Sequence, residues 1–154
     1  MEIIGPARTG VCPDGRRLGG LHLKNKKFLL DTHALLFWLE EESISHEFVN
    51  FLDKQGTKGN LLFSSVSIWE IALLVKKGRI HRDNLHKWKN DVLNYSPAKM
   101  IDPTATDMIE STLLPDIHKD PFDRILIAQT ISNDAILVTK DKSIQKYQVD
   151  TLWK

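Results

Sequence analysis

Short apolar runs alternate with longer amphipathic stretches from residue 28 to the end of the chain. This alternation is typical of strands interleaved with crossover helices, an arrangement that builds a parallel sheet. The runs are continuously apolar, as expected for strands covered on both faces. The predicted strands are residues 28–30, 61–63, 100–101 and 136–138, with 149–152 as an edge strand. The predicted helices are residues 34–39, 45–52, 66–77, 85–93, 104–113 and 122–132, the third of them ended by Gly78.

The first 26 residues differ in texture from the rest of the chain. They contain seven glycine and proline residues and no apolar periodicity long enough to specify a helix or a strand. We therefore predict a flexible N-terminal extension over residues 1–26 and one folded domain over residues 27–154. A chain of 154 residues with 42% apolar content is long enough to bury the core of one domain.

Composition excludes several classes of protein. The 21 basic and 20 acidic residues nearly cancel, so any nucleic-acid site must be a local patch. The single cysteine, Cys12, excludes an intramolecular disulfide framework and a cysteine-rich zinc site. No stretch approaches the ~20 apolar residues of a membrane span, and no secretory signal precedes residue 28. We therefore expect a cytoplasmic protein without a membrane partner.

Four acids are placed where the ends of the predicted strands should bring them together. Asp31 and Asp141 each follow a strand. Glu70 lies early in the helix after the second strand, and Asp123 lies in the first turn of a later helix. In open parallel sheets the ligand site lies outside the carboxyl ends of the strands. The pattern therefore predicts that the four carboxylates meet at one edge of the sheet.

Each acid also has a purely structural explanation. Ser67 and Glu70 have the spacing of a capping box. Asp120 before Pro121 is a good N-cap, which puts Asp123 at a position that the helix dipole favours. Asp31 could cap the helix that follows it, and Asp141 could begin a turn or cap the short segment over residues 142–145.

Four carboxylates at one edge would repel one another and raise their own pKa values unless a cation neutralised them. Oxygen ligands suit the hard ions Mg²⁺ and Mn²⁺, whereas zinc would call for cysteine or paired histidine. Such an ion lowers the pKa of bound water and stabilises charge on a phosphodiester. The joint pattern thus predicts hydrolysis of a nucleic-acid backbone.

Four sequence motifs carry a family resemblance. The motifs are LLDTHALL at 29–36, SVSIWEI at 65–71, HKDPFDRILIAQ at 118–129 and LVTKD at 137–141. Together they closely resemble the PIN-domain ribonucleases of the VapC toxin type, over about residues 27–153. The resemblance implies a three-layer α/β/α fold with a central parallel sheet of four to five strands.

The resemblance also implies which residues do the chemistry. By motif position, the family's four metal-binding acids match Asp31, Glu70, Asp123 and Asp141. Asp31 and Asp123 should hold Mg²⁺ or Mn²⁺ most directly, while the other two act through water. Thr139 stands where the family often has a hydroxyl that orders water or metal. Asp120 is close to Asp123, but its fit as an N-cap favours Asp123 as the ligand.

Family members of this type cut single-stranded RNA, commonly in a tRNA or rRNA loop, and so inhibit translation and growth. They usually form homodimers and are held inactive by a small VapB-like antitoxin, which places a basic side chain into the acidic pocket. The resemblance therefore implies three partners: an RNA substrate, an antitoxin and a second copy of the chain.

Several other side chains invite a role. Basic residues near the acids could hold RNA phosphates, although solvated surface charge is the simpler interpretation; they are Lys76, Lys77, Arg79, Arg124 and Lys140. His33 and His118 are next to the acids, but a lone histidine at a helix start more often makes a hydrogen bond than binds a metal. Trp38 and Trp69 lie on apolar helical stretches and are predicted to pack in the core.

Two alternatives to a ribonuclease stay open at this point. A catalytically silent PIN-like module that binds RNA or protein would be expected to lack one of the acids, and none is missing. A phosphotransfer or phosphatase fold would use Asp31 as a covalent nucleophile, but no phosphate-binding glycine loop accompanies it.

Overall fold

Five strands form one sheet in the computed structural model, which describes residues 25–154. The strands are β1 (Lys27–Leu30), β2 (Leu61–Ser64), β3 (Lys99–Ile101), β4 (Ala135–Val138) and β5 (Thr151–Leu152). Their order is β3-β2-β1-β4-β5, and every neighbouring pair is parallel. The predicted α/β fold with a central parallel sheet is confirmed.

The connections between the strands carry the helices. Within the described residues these are α1 (Thr32–Glu40), α2 (His46–Thr57), α3 (Ser65–Lys76), α4 (Leu85–Tyr95), α5 (Ala105–Leu113) and α6 (Pro121–Ser132), with a short 3-10 turn at Ile144–Lys146. None of these helices is long and apolar enough to cross a membrane.

The sheet lies between two hydrophobic cores, because successive residues of a strand point to opposite faces. Phe28 and Leu30 pack with side chains of α1, α2 and α4 on one face. Leu29 packs with side chains of α6 and the C-terminal segment on the other. Both faces of β1 are therefore covered, which explains why the apolar runs in the sequence are continuous.

The chain reverses its direction of travel across the sheet at β1. It moves outward through β2 and β3 on one side, and then returns to form β4 and β5 on the other. The carboxyl ends of β1 and β4 are joined directly, because the Asp31 N–H donates to the Val138 carbonyl at 3.1 Å. A parallel sheet places its ligand site at such a switch point.

Every predicted strand and helix is present, with shifted ends. Helix α2 runs to Thr57, beyond the predicted end at residue 52. Gly56 allows this extension to pack closely, since a Cβ there would lie 2.7 Å from the Pro97 ring. The predicted stop after α3 is confirmed by Gly78, whose φ is +70°. The predicted N-terminal extension falls, up to residue 24, outside the described residues.

Candidate active site

Asp31 connects β1 to α1 and is almost completely buried, at 5% exposure. Its carboxylate caps α1 by accepting a hydrogen bond from the Ala34 N–H at 2.6 Å, so the predicted cap is confirmed. Burial raises the pKa of Asp31, and hydrogen bonds from the Thr139 hydroxyl and the Ala34 N–H offset this only in part. A buried carboxylate at a sheet switch point is a candidate ligand or proton acceptor.

Thr139 follows β4 and is fully buried beside Asp31. Its hydroxyl donates to the Asp31 carboxylate and accepts a hydrogen bond from the Asp141 N–H at 3.0 Å. The Thr139 side chain thus fixes the position of Asp31 relative to Asp141.

Glu70 lies in the second turn of α3, and the predicted capping box with Ser67 is wrong. The helix begins at Ser65, and its cap is Ser64, whose hydroxyl accepts from the Val66 N–H at 3.2 Å. The Glu70 carboxylate instead accepts a hydrogen bond from the Thr32 hydroxyl at 2.5 Å.

The contact between Glu70 and Thr32 crosses from α3 to α1. Burial raises the pKa of Glu70, the Thr32 hydrogen bond lowers it, and the Asp120 carboxylate raises it further. Thr32 Oγ1 also lies 3.0 Å from Ser67 Oγ in a buried pair. Sequence reasoning missed Thr32 as a site residue, and its only signal was its place directly after Asp31.

Asp120 and Asp123 stand at the start of α6. Asp120 is the helix cap, accepting from the Phe122 N–H at 2.9 Å, as predicted. Burial raises the pKa of Asp123 to about 7, and the carboxylates of Asp120, Glu70 and Asp31 act in the same direction, while His118 opposes them. The Asp123 carboxylate therefore lies close enough to those of Asp120, Glu70 and Asp31 to interact with them electrostatically.

His118 lies between two of the acids. Its Nε2 is 3.1 Å from Asp123 Oδ2 and 3.1 Å from Asp141 Oδ2. Burial acts to raise the pKa of Asp141, but hydrogen bonds from His118 and the Ser143 N–H outweigh it, so the pKa is lowered. Asp141 also accepts from the Ser143 N–H at 2.7 Å, which confirms that it starts a turn.

The site brings carboxylates together without a lysine or arginine from the described residues to neutralise Asp31, Glu70 or Asp123. No ion pair among residues 25–154 joins a lysine or arginine to Asp31, Glu70 or Asp123. Three acids of raised pKa at one sheet edge form an oxygen-rich site of negative potential. This donor set fits a hard divalent cation, whose charge would favour the ionised form of every carboxylate.

The predicted basic residues have different surroundings. Arg124 holds the last turn of α5 and the loop before α6. It donates to the carbonyls of Ser111, Leu114, Pro115 and His118. It supports the site by holding that loop.

The Lys140 side chain contacts α1, the turn after it and the C-terminal end of the chain. Its Nζ donates to the Ser43 carbonyl at 3.3 Å and lies 5.2 and 5.1 Å from the ring centroids of Phe37 and Trp153. Lys76, Lys77 and Arg79 are exposed. Lys76 lies about 9 Å along the α3 axis from Glu70, at ~1.5 Å per residue.

The two tryptophans near the predicted motifs behave differently. Trp38 is buried and donates its indole N–H to Asp53 at 2.8 Å, so its predicted core position is confirmed. The prediction for Trp69 is wrong, because this side chain is 59% exposed. Its ring packs edge-on against that of Phe122, with the two ring centroids 4.9 Å apart. Because Phe122 directly precedes Asp123 in α6, this contact puts an exposed ring at the start of α6, beside the acidic site.

The fold and the acidic edge define a class of protein, and a family comparison agrees with it. The PIN domain family matches residues 28–149. The chain belongs to this family.

Several solved structures share the fold at low sequence identity. VapBC2 from Rickettsia felis, bound to a DNA fragment from its promoter, matches at a TM-score of 0.62 and 17% identity, covering 82% of this chain and 98% of that one. DNA-bound VapBC from Salmonella typhimurium matches at 0.61 and 14%, covering 82% and 97%. FitAcB from Neisseria gonorrhoeae matches at 0.54 and 15%, covering 81% and 96%. None of the curated proteins matches the chain.

Proposed function

We propose that this protein is a divalent-metal-dependent endoribonuclease that acts as the toxin of a toxin–antitoxin pair, inhibiting translation and growth. The observation that carries the proposal is the meeting of Asp31, Glu70, Asp123 and Asp141 at the switch point of the sheet, with the pKa of the first three raised. Membership of the PIN domain family supports the nuclease class.

Asp31 and Asp123 are the proposed direct ligands of Mg²⁺ or Mn²⁺, and Glu70 and Asp141 act through water. When bound, the ion lowers the pKa of water and stabilises charge on the phosphodiester. Thr139 keeps the Asp31 carboxylate in place through its hydroxyl. Glu70, held by Thr32, accepts the proton of the attacking water.

The proposed substrate is single-stranded RNA, such as a loop of tRNA or rRNA. Four basic residues stay predicted phosphate contacts: Lys76, Lys77, Arg79 and Lys140. The first three are exposed and follow Glu70 along the chain. Trp69 adds an exposed ring next to Glu70 on which a base can stack.

The proposed protein partner is a VapB-like antitoxin, and the toxin itself is proposed to be a cytoplasmic homodimer. The fold likeness to VapBC and FitAcB assemblies supports a partner of this kind. An arginine or lysine from the antitoxin would neutralise the carboxylates as the metal does, through charge-assisted hydrogen bonds.

Induced expression tests the toxin role and the site together. We expect the wild-type chain to arrest growth and the Asp31→Asn and Asp123→Asn variants to restore it, because each loses a proposed ligand. Asp83→Asn is the matched control, since Asp83 is exposed and pairs only with His81 among the described residues; it should stay toxic. Full toxicity of both site variants would contradict the site assignment, and harmless wild-type protein would contradict the toxin role.

A further inference from the structure

His118 is fixed in the loop between α5 and α6 through both of its backbone polar groups. Its N–H donates to the Tyr147 hydroxyl at 2.7 Å, and its carbonyl accepts from Arg124 Nη1 at 3.1 Å. The Tyr147 hydroxyl in turn donates to the Pro115 carbonyl at 2.9 Å. The backbone position of this histidine is therefore set by side chains from two other segments, α6 and the C-terminal part of the chain.

Both ring nitrogens of His118 are also engaged. Nδ1 accepts a hydrogen bond from the Asp120 N–H at 3.1 Å, so it carries no proton. The ring proton is then on Nε2, which lies 3.1 Å from the carboxylates of Asp123 and Asp141. The backbone of the α6 cap thus selects one tautomer and directs its N–H toward the acids.

This hydrogen-bond pattern bears on metal binding. The ligand atoms of His118, Asp123 and Asp141 lie within 4.8 Å of one another, close enough for one ion. Ligation through Nε2, however, would move the ring proton to Nδ1, where it would face the Asp120 N–H. Histidine ligands normally donate their second N–H to an acceptor, and here that position holds a donor.

We propose that His118 is a positioning residue of the candidate site: an Nε2–H donor that holds the carboxylates of Asp123 and Asp141 together and is not itself a metal ligand. The proposal rests on the proposed metal-dependent function of the same acids. Asp123 belongs to α6 and Asp141 to the loop after β4. His118 Nε2 hydrogen-bonds Asp141 and lies 3.1 Å from the Asp123 carboxylate, so it connects two elements that the chain supplies separately. It also offsets the repulsion between the two carboxylates.

The tautomer is the first test, and it needs neither metal nor activity. Long-range ¹H–¹⁵N correlation spectra of the histidine-labelled full chain report which ring nitrogen bears the proton, and the signal missing from a His118→Gln spectrum is that of His118. We expect a protonated Nε2 and a bare Nδ1. A proton on Nδ1 would overturn the proposal.

Mn²⁺ affinity is the second test, using His118→Leu and His118→Gln. Leucine removes the donor, so we expect Mn²⁺ binding to weaken about 10–100-fold, the usual effect of losing a residue that orients ligands. The glutamine amide can still donate and should recover most of the affinity. His81→Leu is the control, because His81 is exposed. If His118→Leu binds Mn²⁺ as tightly as the wild type, or if both His118 variants lose the same amount of Mn²⁺ affinity, the positioning role of His118 is overturned.

Electron spin-echo spectra of bound Mn²⁺ show whether an imidazole nitrogen is bound to the ion, and so distinguish a positioning role of His118 from ligation. We expect no imidazole coupling in the wild type, and a coupling that disappears in His118→Gln would overturn the proposal. These results are independent of cleavage: an inactive wild type would end the ribonuclease proposal, while the tautomer would still decide the role of His118.

Discussion

Single hydroxyl groups hold the acids in place at the residue scale. Thr32 binds Glu70 and Thr139 binds Asp31, and both threonines are buried. The sequence predicted the acids and Thr139, because their positions follow from strand ends and motif order. It could not predict the partner of Glu70, since a contact between α1 and α3 depends on how two helices pack and not on local spacing.

Thr139→Val tests this arrangement. Valine has the same shape but leaves the Asp141 N–H without its hydroxyl acceptor and the Asp31 carboxylate with the Ala34 N–H alone. We therefore expect a loss of about 1–3 kcal/mol in the free energy of unfolding and slower RNA cleavage. Urea denaturation and a cleavage assay measure the two effects. Thr139→Ser should recover both; a serine variant as impaired as the valine variant would contradict the role of the hydroxyl.

The raised pKa of Asp123 predicts a pH dependence of stability. The folded-state pKa is about 7 against an ordinary value of 3.8, so the folded protein binds a proton more readily than the unfolded chain. This contribution is present below pH 3.8 and is lost as pH rises toward 7, by an amount on the order of 1–4 kcal/mol.

Asp123→Asn should remove that share of the pH dependence. We expect urea denaturation of the metal-free protein at several pH values to show a shallower decline for the variant between pH 4 and 7 than for the wild type. Parallel curves would contradict a raised pKa at this carboxyl. Added Mn²⁺ should flatten the wild-type decline, because a bound cation favours the ionised form.

At the scale of elements, the guanidinium of Arg124 holds the loop before α6 next to the site. Arg124 donates to four carbonyls of this region, a geometry that suits the planar fork of arginine and not the single ammonium of lysine. The sequence placed Arg124 beside the acids but suggested a phosphate contact as one role. Most of its actual partners are backbone carbonyls, which carry no sequence signal.

Arg124→Met should therefore act through the loop. We expect the free energy of unfolding to fall by about 2–4 kcal/mol, since several carbonyls lose a charged partner, and cleavage to slow because His118 is no longer held. Arg79→Met, at an exposed position, is the control for stability. An Arg124 variant with wild-type stability and a changed RNA affinity alone would favour the phosphate contact instead.

The topology explains the site at the scale of the whole molecule. The sequence predicted the five strands and six helices of the described residues, because apolar runs and amphipathic stretches are local signals. The order β3-β2-β1-β4-β5 is not local, yet it is what puts β1 beside β4 and so brings Asp31 next to Thr139 and Asp141. The order of the motifs predicted that Asp31, Thr139 and Asp141 lie together, and the register between β1 and β4 sets their relative positions.

Metal-dependent RNA cleavage by the purified full chain tests the central claim most directly. We expect total RNA to be cut at defined positions with Mg²⁺ or Mn²⁺, and cutting to stop with a chelator or in Asp31→Asn, because the carboxylates then lack the ion or a ligand for it. Mapping the new RNA ends would also identify the substrate. Cleavage that continues in chelator, or RNA that stays intact with either ion, would contradict a metal-dependent ribonuclease.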